Sequence, residues 1–421
     1  MRSLREQVDW LRDGMRRRGA GDDTLRVIDR GETRERERRT LIQAVEERKA
    51  ARNANALEVA RRKKAKEDAD ELIARGRALG DEIARLEQEL EEVESALRAL
   101  LLDIPNVTFN DVPAGGEECN VIVQSWGEPR ASDGAKPHWE IGATLGIIDL
   151  ERAAKISGSG FVAYRGLGAR LVRSLMSFFI DLHTHEHGYE EVWPPILVNR
   201  ASMTGTGQLP KFEEDAYAVK GDDLFLIPTA EVPVTNLYRD EILEGSMLPK
   251  GFVAYTPCFR REAGSAGKDT RGVLRTHQFD KVELVRYATP ETSGDELEVL
   301  TRHAERCLEK LGLPHRRKLL AAGDTGFSSA KTYDLEAWAP GAGAWLEVSS
   351  CSNFSDFQAR RANIRFRAAK GEKPRFVHTL NGSGLAFPRV IACLLEHYQN
   401  ADGSVTVPEP LQPYLGTDRI G

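Results

Sequence analysis

The 421 residues carry 41% hydrophobic and 29% charged side chains with a formal net charge of −6, which allows a sizeable core in two or three domains. That balance excludes a global basic field of the kind nucleic acid or an anionic membrane demands, so a nucleic-acid partner has to use a local patch. The five cysteines (Cys119, Cys258, Cys307, Cys351, Cys393) are odd in number, far apart and never in C-x-x-C spacing, which argues against a disulfide framework or a zinc site. No apolar h-region opens the chain and no eighteen apolar residues run together, so a cytoplasmic protein without a membrane span is expected.

From about Asp29 to Leu102 there is no proline, and Ala, Glu, Arg, Lys and Leu dominate. Leu72, Gly76, Leu79, Ile83, Leu86, Leu90, Val93, Leu97 and Leu100 recur at alternating spacings of four and three, a coiled-coil seam. Leu41, Ile42, Val45, Ala56 and Val59 supply a thinner stripe, so two antiparallel helices of roughly 35 residues, about 50 Å long, are predicted. Residues 30–66 hold 13 Lys/Arg against 6 Asp/Glu, while residues 67–98 hold 4 against 11. Opposite charge favours the pairing. It leaves Arg61, Arg62, Lys63, Lys64 and Lys66 near the tip, readable either as a solvated helix face or as an RNA-backbone contact. No Gly or Pro between Lys63 and Asp70 marks the turn.

The stretch "DIPNVTFNDVPAGGE" (103–117) breaks the helix and is expected as a linker between a domain at 1–102 and one at 118–421. The second alternates short β-rich runs (VIVQSW, DLFLIP) with helical ones (LVRSLMSFFIDLHTHEHG, ELEVLTRHAERCLEKLG), an α+β pattern without regular βαβ units. "GSGFVA" and "GSGLAF" imitate a dinucleotide fingerprint but lack its flanking strand, helix and acidic residue. "HTHEH" has the wrong spacing for a metal set on one helix face and is expected as a surface helix end.

"CFRREAGSAGKDTRG" (258–272) packs glycines and cations but lacks the order of a Walker loop, because Glu262 stands where the first glycine is required and Asp269 follows the lysine. With the strand-like sequence on either side, it predicts a long hairpin whose loop, bearing Lys268 and Arg271, closes over a polyanion.

These segments, with "TGTGQLPKF", "IPTAEVPVTN", "HQFDKVE", "KTYDLEAW", "EVSSCSNFSDFQARR" and "HTLNGSGLAFPR", resemble the seryl-tRNA synthetases, a class II aminoacyl-tRNA synthetase family, in order and spacing along nearly the whole chain. The resemblance implies a six- or seven-stranded antiparallel catalytic sheet, an N-terminal helical coiled-coil arm that grips tRNA, and a homodimer through motif 1, whose proline maps to Pro195. It further implies ATP-dependent ligation of L-serine to tRNA(Ser), with tRNA(Sec) a further acceptor in the family and no DNA partner.

Carried over residue by residue, Arg260 clamps the α-phosphate and the serine carboxylate, and Arg389 and Arg271 hold the γ-phosphate. Glu262 accepts from adenine, Phe279 stacks on it, and Arg261 and Thr276 complete the ATP set with Glu347, Val348, Ser349 and Ser350. Glu347 and Ser350 ligate Mg2+. Thr229, Ala230 and Glu231 belong to the serine amino-group site, and Glu283, Asn381 and Ser383 lie near the serine hydroxyl. Arg260, Arg389 and Glu347 are the residues expected to carry the chemistry. The competing readings are a specialised copy supplying activated serine to a biosynthetic pathway, and an inactive coiled-coil interaction protein. The intact site positions disfavour the second.

Overall fold

Two long helices dominate the first of two compact units, Met1–Val107. The computed structural model describes residues 2–263 and 271–421. Helix α1 (Asp22–Ala65) and helix α2 (Asp70–Leu102) are 44 and 33 residues long. The expected start near 29 moves back to Asp22, where Asp22 and Asp23 sit in the first turn and favour the helix dipole.

Antiparallel pairing is fixed by charge across the two helices: Arg38 to Glu94 at 2.8 Å, Arg48 to Glu82 at 2.8 Å and Lys49 to Glu87 at 2.7 Å. Every residue of the predicted α2 seam is buried or half-buried, with Ile83 and Leu97 fully covered. At the tip, Lys66 adopts a left-handed conformation (φ 59°), the Glu67 N–H donates to the Arg62 carbonyl at 2.9 Å and the Lys66 N–H to the Lys63 carbonyl at 3.1 Å. This is a Schellman closure with lysine in the position that glycine usually fills. Asp68 Oδ1 then accepts from the Asp70 N–H at 2.9 Å and starts α2. At the other end of the pair, Leu4, Leu11 and Met15 from two short helices pack with Ile28, Leu97 and Ile104.

The second unit, Thr108–Gly421, is built on one eight-stranded sheet. Its strands are β1 (Val121–Trp126), β2 (Glu190–Glu191), β3 (Lys250–Phe259), β4 (Gln278–Ala288), β5 (His315–Leu319), β6 (Lys331–Ala339), β7 (Ala344–Asn353) and β8 (His378–Ala386). The spatial order is β1-β5-β6-β7-β8-β4-β3-β2. Seven strands run antiparallel, and the two-residue β2 adds an eighth, parallel to β3 at the edge. Strands β3 and β4 pair from Phe259↔Gln278 to Lys250↔Tyr287, giving the predicted hairpin. Residues 108–117 are tied to this unit, with the Phe109 N–H donating to Ala330 and Pro113 accepting from the Ala322 N–H.

Helices α3 (Leu167–His185), α4 (Ser293–Lys310) and α5 (Phe387–His397) share one apolar cluster with the sheet, in which Leu175, Phe179, Leu300 and Val390 pack with Val282, Leu284, Leu335 and Leu380. Side chains alternate across a strand, so the residues between these, Lys281 and Glu283 on β4 and Asn381 and Ser383 on β8, face away from the helices into a cleft.

The "HTHEH" expectation is corrected here. His183 is fully buried rather than at a surface helix end. Its Nδ1 lies 2.9 Å from His187 Nδ1 and its Nε2 3.3 Å from Cys307 Sγ, while the His187 ring stacks on His303 with centroids 4.0 Å apart. The helix packs this end onto β8, where Gly384 has no side chain. A Cβ there would stand 2.7 Å from His183 Nε2. Burial pushes all three imidazoles down, His187 to about 4 and His303 to about 3, so the cluster is neutral near pH 7.

Candidate active site

A cleft of about 870 Å³ opens on the polar face of the sheet. Thr229, Glu231, Arg260, Glu262, Thr276, Phe279, Glu283, Glu347, Val348, Ser349, Ser350, Asn381, Ser383 and Arg389 all line it. Three of the expected positions do not. Ala230 is fully buried in a neighbouring apolar cluster. Arg261 turns to the backbone of the 214–215 turn, donating through Nη1 to the Glu214 carbonyl at 3.1 Å. Arg271 is exposed and outside the lining. Lys268 lies outside the described residues.

At one end of the cleft six buried side chains are linked in two sets of three. Glu231 accepts from Gln358 Nε2 at 2.5 Å, and Gln358 Oε1 in turn accepts from the Thr379 hydroxyl at 2.7 Å. Lys281, which sequence reasoning missed, places its ammonium 2.9 Å from Thr229 Oγ1 and 2.5 Å from Glu283 Oε2. The contact to Glu283 is an ion pair whose angles fall outside hydrogen-bond geometry, since Glu283 Oε2 has no hydrogen-bond partner. Burial first and the charge of Glu283 second push the Glu231 carboxyl up to about 7. The signal for Lys281 was its i, i+2 spacing from Glu283 on a strand, which puts both side chains on one face.

Further along, the Arg260 guanidinium sits 5.1 Å above the Phe279 ring, leaving a planar cation and an aromatic face side by side. Glu262, at φ 51°, is held by Arg275 Nη1 donating to its Oε2 at 2.7 Å. A non-glycine residue in this region of φ/ψ is uncommon and persists because its surroundings fix it.

The hairpin is anchored where the described chain resumes. The Val273 N–H donates to His138 Nε2 at 3.2 Å, so the proton of this imidazole resides on Nδ1, which donates to Glu396 Oε1 at 2.7 Å. Gly272 (φ 68°) passes so close that a Cβ would lie 2.2 Å from His138 Nε2, and no other residue fits there.

Glu347 and Ser350 are three residues apart, a spacing that in a regular strand faces opposite sides of the sheet. Here the β6–β7 register jumps between Leu335↔Ser349 and Glu336↔Glu347. The bulge at Val348 returns Glu347 to the face that carries Ser350 and Ser352. Arg389, in the first turn of α5, donates through Nη1 to the Glu347 carbonyl at 2.8 Å and lies 3.6 Å from its carboxylate. Glu347 is half-exposed, and its oxygen and the Ser350 hydroxyl form an oxygen-only donor pair that suits a hard cation. Among the described residues no three His, Cys, Asp or Glu side chains form a metal cage of their own, and no helix is long and apolar enough to cross a membrane.

In the arm, Arg61 is paired with Glu58 at 2.7 Å and Arg62 approaches the same carboxylate at 3.5 Å, whereas Lys63, Lys64 and Lys66 are exposed.

Known proteins with similar sequences and structures fall together. The family described as "Seryl-tRNA synthetase N-terminal domain" matches residues 1–108, and "tRNA synthetase class II core domain (G, H, P, S and T)" matches residues 211–398. The serine--tRNA ligase of Gemmatimonas aurantiaca is 64% identical over 99% of this chain and 98% of its own length, and that of Geobacillus kaustophilus is 57% identical over 98% and 97%. Among solved structures, seryl-tRNA synthetase from Pyrococcus horikoshii complexed with ATP superposes with a TM-score of 0.94 at 38% identity, covering 100% of this chain and 98% of that one.

Proposed function

The chain belongs to the seryl-tRNA synthetase family of class II ATP-dependent serine--tRNA ligases, and from that premise we propose how its cleft divides the work. The reaction activates L-serine with ATP to seryl-adenylate and pyrophosphate, then transfers serine to the 3′-terminal ribose of tRNA. Neither the specialised-copy reading nor the inactive-protein reading draws support from the relatives named above.

The buried end takes serine. Thr229 and Glu231 receive the ammonium, Arg260 the carboxylate, and Glu283, Asn381 and Ser383 surround the hydroxyl. Alanine then leaves buried polar groups unpaired, the arrangement that supports the strongest discrimination, on the order of 10⁴. The open end takes ATP. Phe279 offers a face to adenine, Glu262 an acceptor for its amino group, Arg260 a fork of donors to the α-phosphate, and Arg389 a cation to the γ-phosphate; the expected help of Arg271 there stands without support from its place outside the lining.

Glu347 and Ser350 would hold Mg2+, which supplies charge neutralisation on the phosphates when bound. Two steps of phosphoryl and acyl transfer need positioning and charge more than a protein base, which agrees with a cleft rich in Arg and Glu. The observation that carries this reading is the convergence, in one cleft, of a cross-linked Thr229–Lys281–Glu283 group with a guanidinium seated on an aromatic ring.

The tRNA-binding domain is proposed as residues 1–102 with its arm basic at the tip (Arg61, Arg62, Lys63, Lys64, Lys66), the linker as 103–117 and the catalytic domain as 118–421. The active form is proposed as a cytoplasmic homodimer. Charging of bulk tRNA by the purified chain with each amino acid in turn tests the reading. Serine is expected as the one amino acid accepted, and efficient charging of another sinks it.

A further inference from the structure

Beside the cleft lies a second cavity of about 380 Å³, lined among others by Asp324, Asp334, Thr332, Glu347, Ser350 and Ser352. It shares Glu347 and Ser350 with the cleft. On this face of the sheet the neighbouring polar groups are paired. Thr332 and Ser352 share a hydrogen bond at 2.8 Å, and Glu336 holds both Arg316 at 2.5 Å and Lys318 at 2.6 Å. Lys318 stands directly across from Asp334 in the β5–β6 register, yet its ammonium goes to Glu336. Asp334 is 7% exposed, and its Oδ1 is fully buried without a hydrogen-bond partner. The β6–β7 register puts Asp334 opposite Ser350, and the bulge brings Glu347 onto the same face.

A buried carboxylate oxygen with no donor is costly, and a fold retains one where something else supplies the positive charge. Here Lys318 lines the cavity but its ammonium is committed to Glu336, the carboxylates of Glu347, Asp324 and Glu117 share the lining with Asp334, and Ser329, Thr332, Ser350 and Ser352 add hydroxyls. A hard divalent cation takes such a set of oxygens. We propose that Asp334 is a further oxygen donor of the Mg2+ site, joining Glu347 and Ser350 from the neighbouring strand and holding the cation at the junction of the two cavities. Nucleotide phosphates complete the coordination, since the protein groups alone do not close a cage. The inference rests on the reading of Glu347 and Ser350 given above.

The test uses the full chain and a non-hydrolysable ATP analogue, with affinity measured by calorimetry once with Mn2+ and once in EDTA. The ratio of the two isolates what the metal contributes. Asp334→Asn is expected to lose at least about tenfold of the Mn2+-dependent tightening, to keep the EDTA affinity within about twofold, and to show no loss of melting temperature in EDTA. Unchanged tightening overturns the proposal. So does a fall of EDTA affinity or of metal-free melting temperature in step with the tightening, because Asp334 is then architectural. Glu347→Gln separates the two levels: if it leaves the tightening intact the underlying metal reading fails, and if it abolishes the tightening while Asp334→Asn does not, this inference alone fails.

Discussion

The arm and the cleft both depend on charge, but they hold it in opposite ways. In α1 and α2 most charged side chains lie at the surface, with Glu35 a buried exception beside Arg38, and the interhelical pairs Arg48–Glu82 and Lys49–Glu87 are each about half exposed. Such pairs select the antiparallel partner while adding little stability one by one. In the cleft the charges of Lys281, Glu283 and Glu231 are 5%, 2% and 6% exposed and linked to one another or to buried amides. Removing one member there strands another. The arm is thus redundant where the cleft is not, and substitutions should divide the two regions sharply.

The largest break is in the arm as a whole. Deletion of residues 30–100 is expected to leave serine-dependent exchange of pyrophosphate into ATP intact and to reduce tRNA charging to background. Efficient charging by the truncated chain would remove the arm from tRNA recognition.

Next is Arg260→Ala, which takes away the guanidinium over Phe279. Loss of one preorganised donor to developing charge costs about 10²–10³ in rate, and a residue proposed to serve both phosphate and carboxylate is expected at the upper end of that range. The exchange assay reads this directly, and full exchange refutes the assignment.

Glu231 sharpens the contrast through pH. Its carboxyl titrates at about 7 in the free cleft. An ammonium ligand requires the ionised form, so the KM for serine should rise as pH falls below about 7, and Glu231→Gln should raise KM while erasing that dependence. The stability effect has the opposite sign. The native pKa is raised above the unfolded value near 4.3, so folding loses stability as pH climbs from about 4.3 to about 7, by about 4 kcal/mol at most. Above pH 7 the Gln variant should therefore melt at a higher temperature than the parent, and equal melting at pH 8 would argue against a destabilised carboxylate.

The smallest effect is predicted for Arg48→Ala in the arm, which breaks the pair with Glu82. No measurable change in melting temperature or charging rate is expected. A clear loss of charging would mean that the middle of the arm, and not only its tip, meets the RNA.

The same contrast explains what could be read from sequence. The α2 seam was legible because a coiled coil writes its contacts locally, every three or four residues. The tip was not, because the left-handed position carries Lys66 and so lacks the glycine that announces such a closure. Most of the positions expected from resemblance line the cleft, yet Lys281 in the cleft and Asp334 in the cavity beside it read as ordinary charges in "HQFDKVE" and "KTYDLEAW". Their meaning depends on what stands across the sheet, Thr229 near one and Ser350 opposite the other, and register is not written in a single strand. The expectation for "HTHEH" failed for the same reason. Gly384, two hundred residues away, makes the space that buries His183.

The four-residue turn between Ala65 and Asp70 has a further consequence for the arm. Two helices lying side by side along a 3.5-residue seam form a rod whose length can change only in matched increments, seven residues from each strand, or about 10 Å. A longer or shorter arm of this kind keeps its tip chemistry and its base unchanged. Such an arm has discrete lengths, and trimming one heptad from each helix would show whether tRNA charging depends on which of them the chain carries.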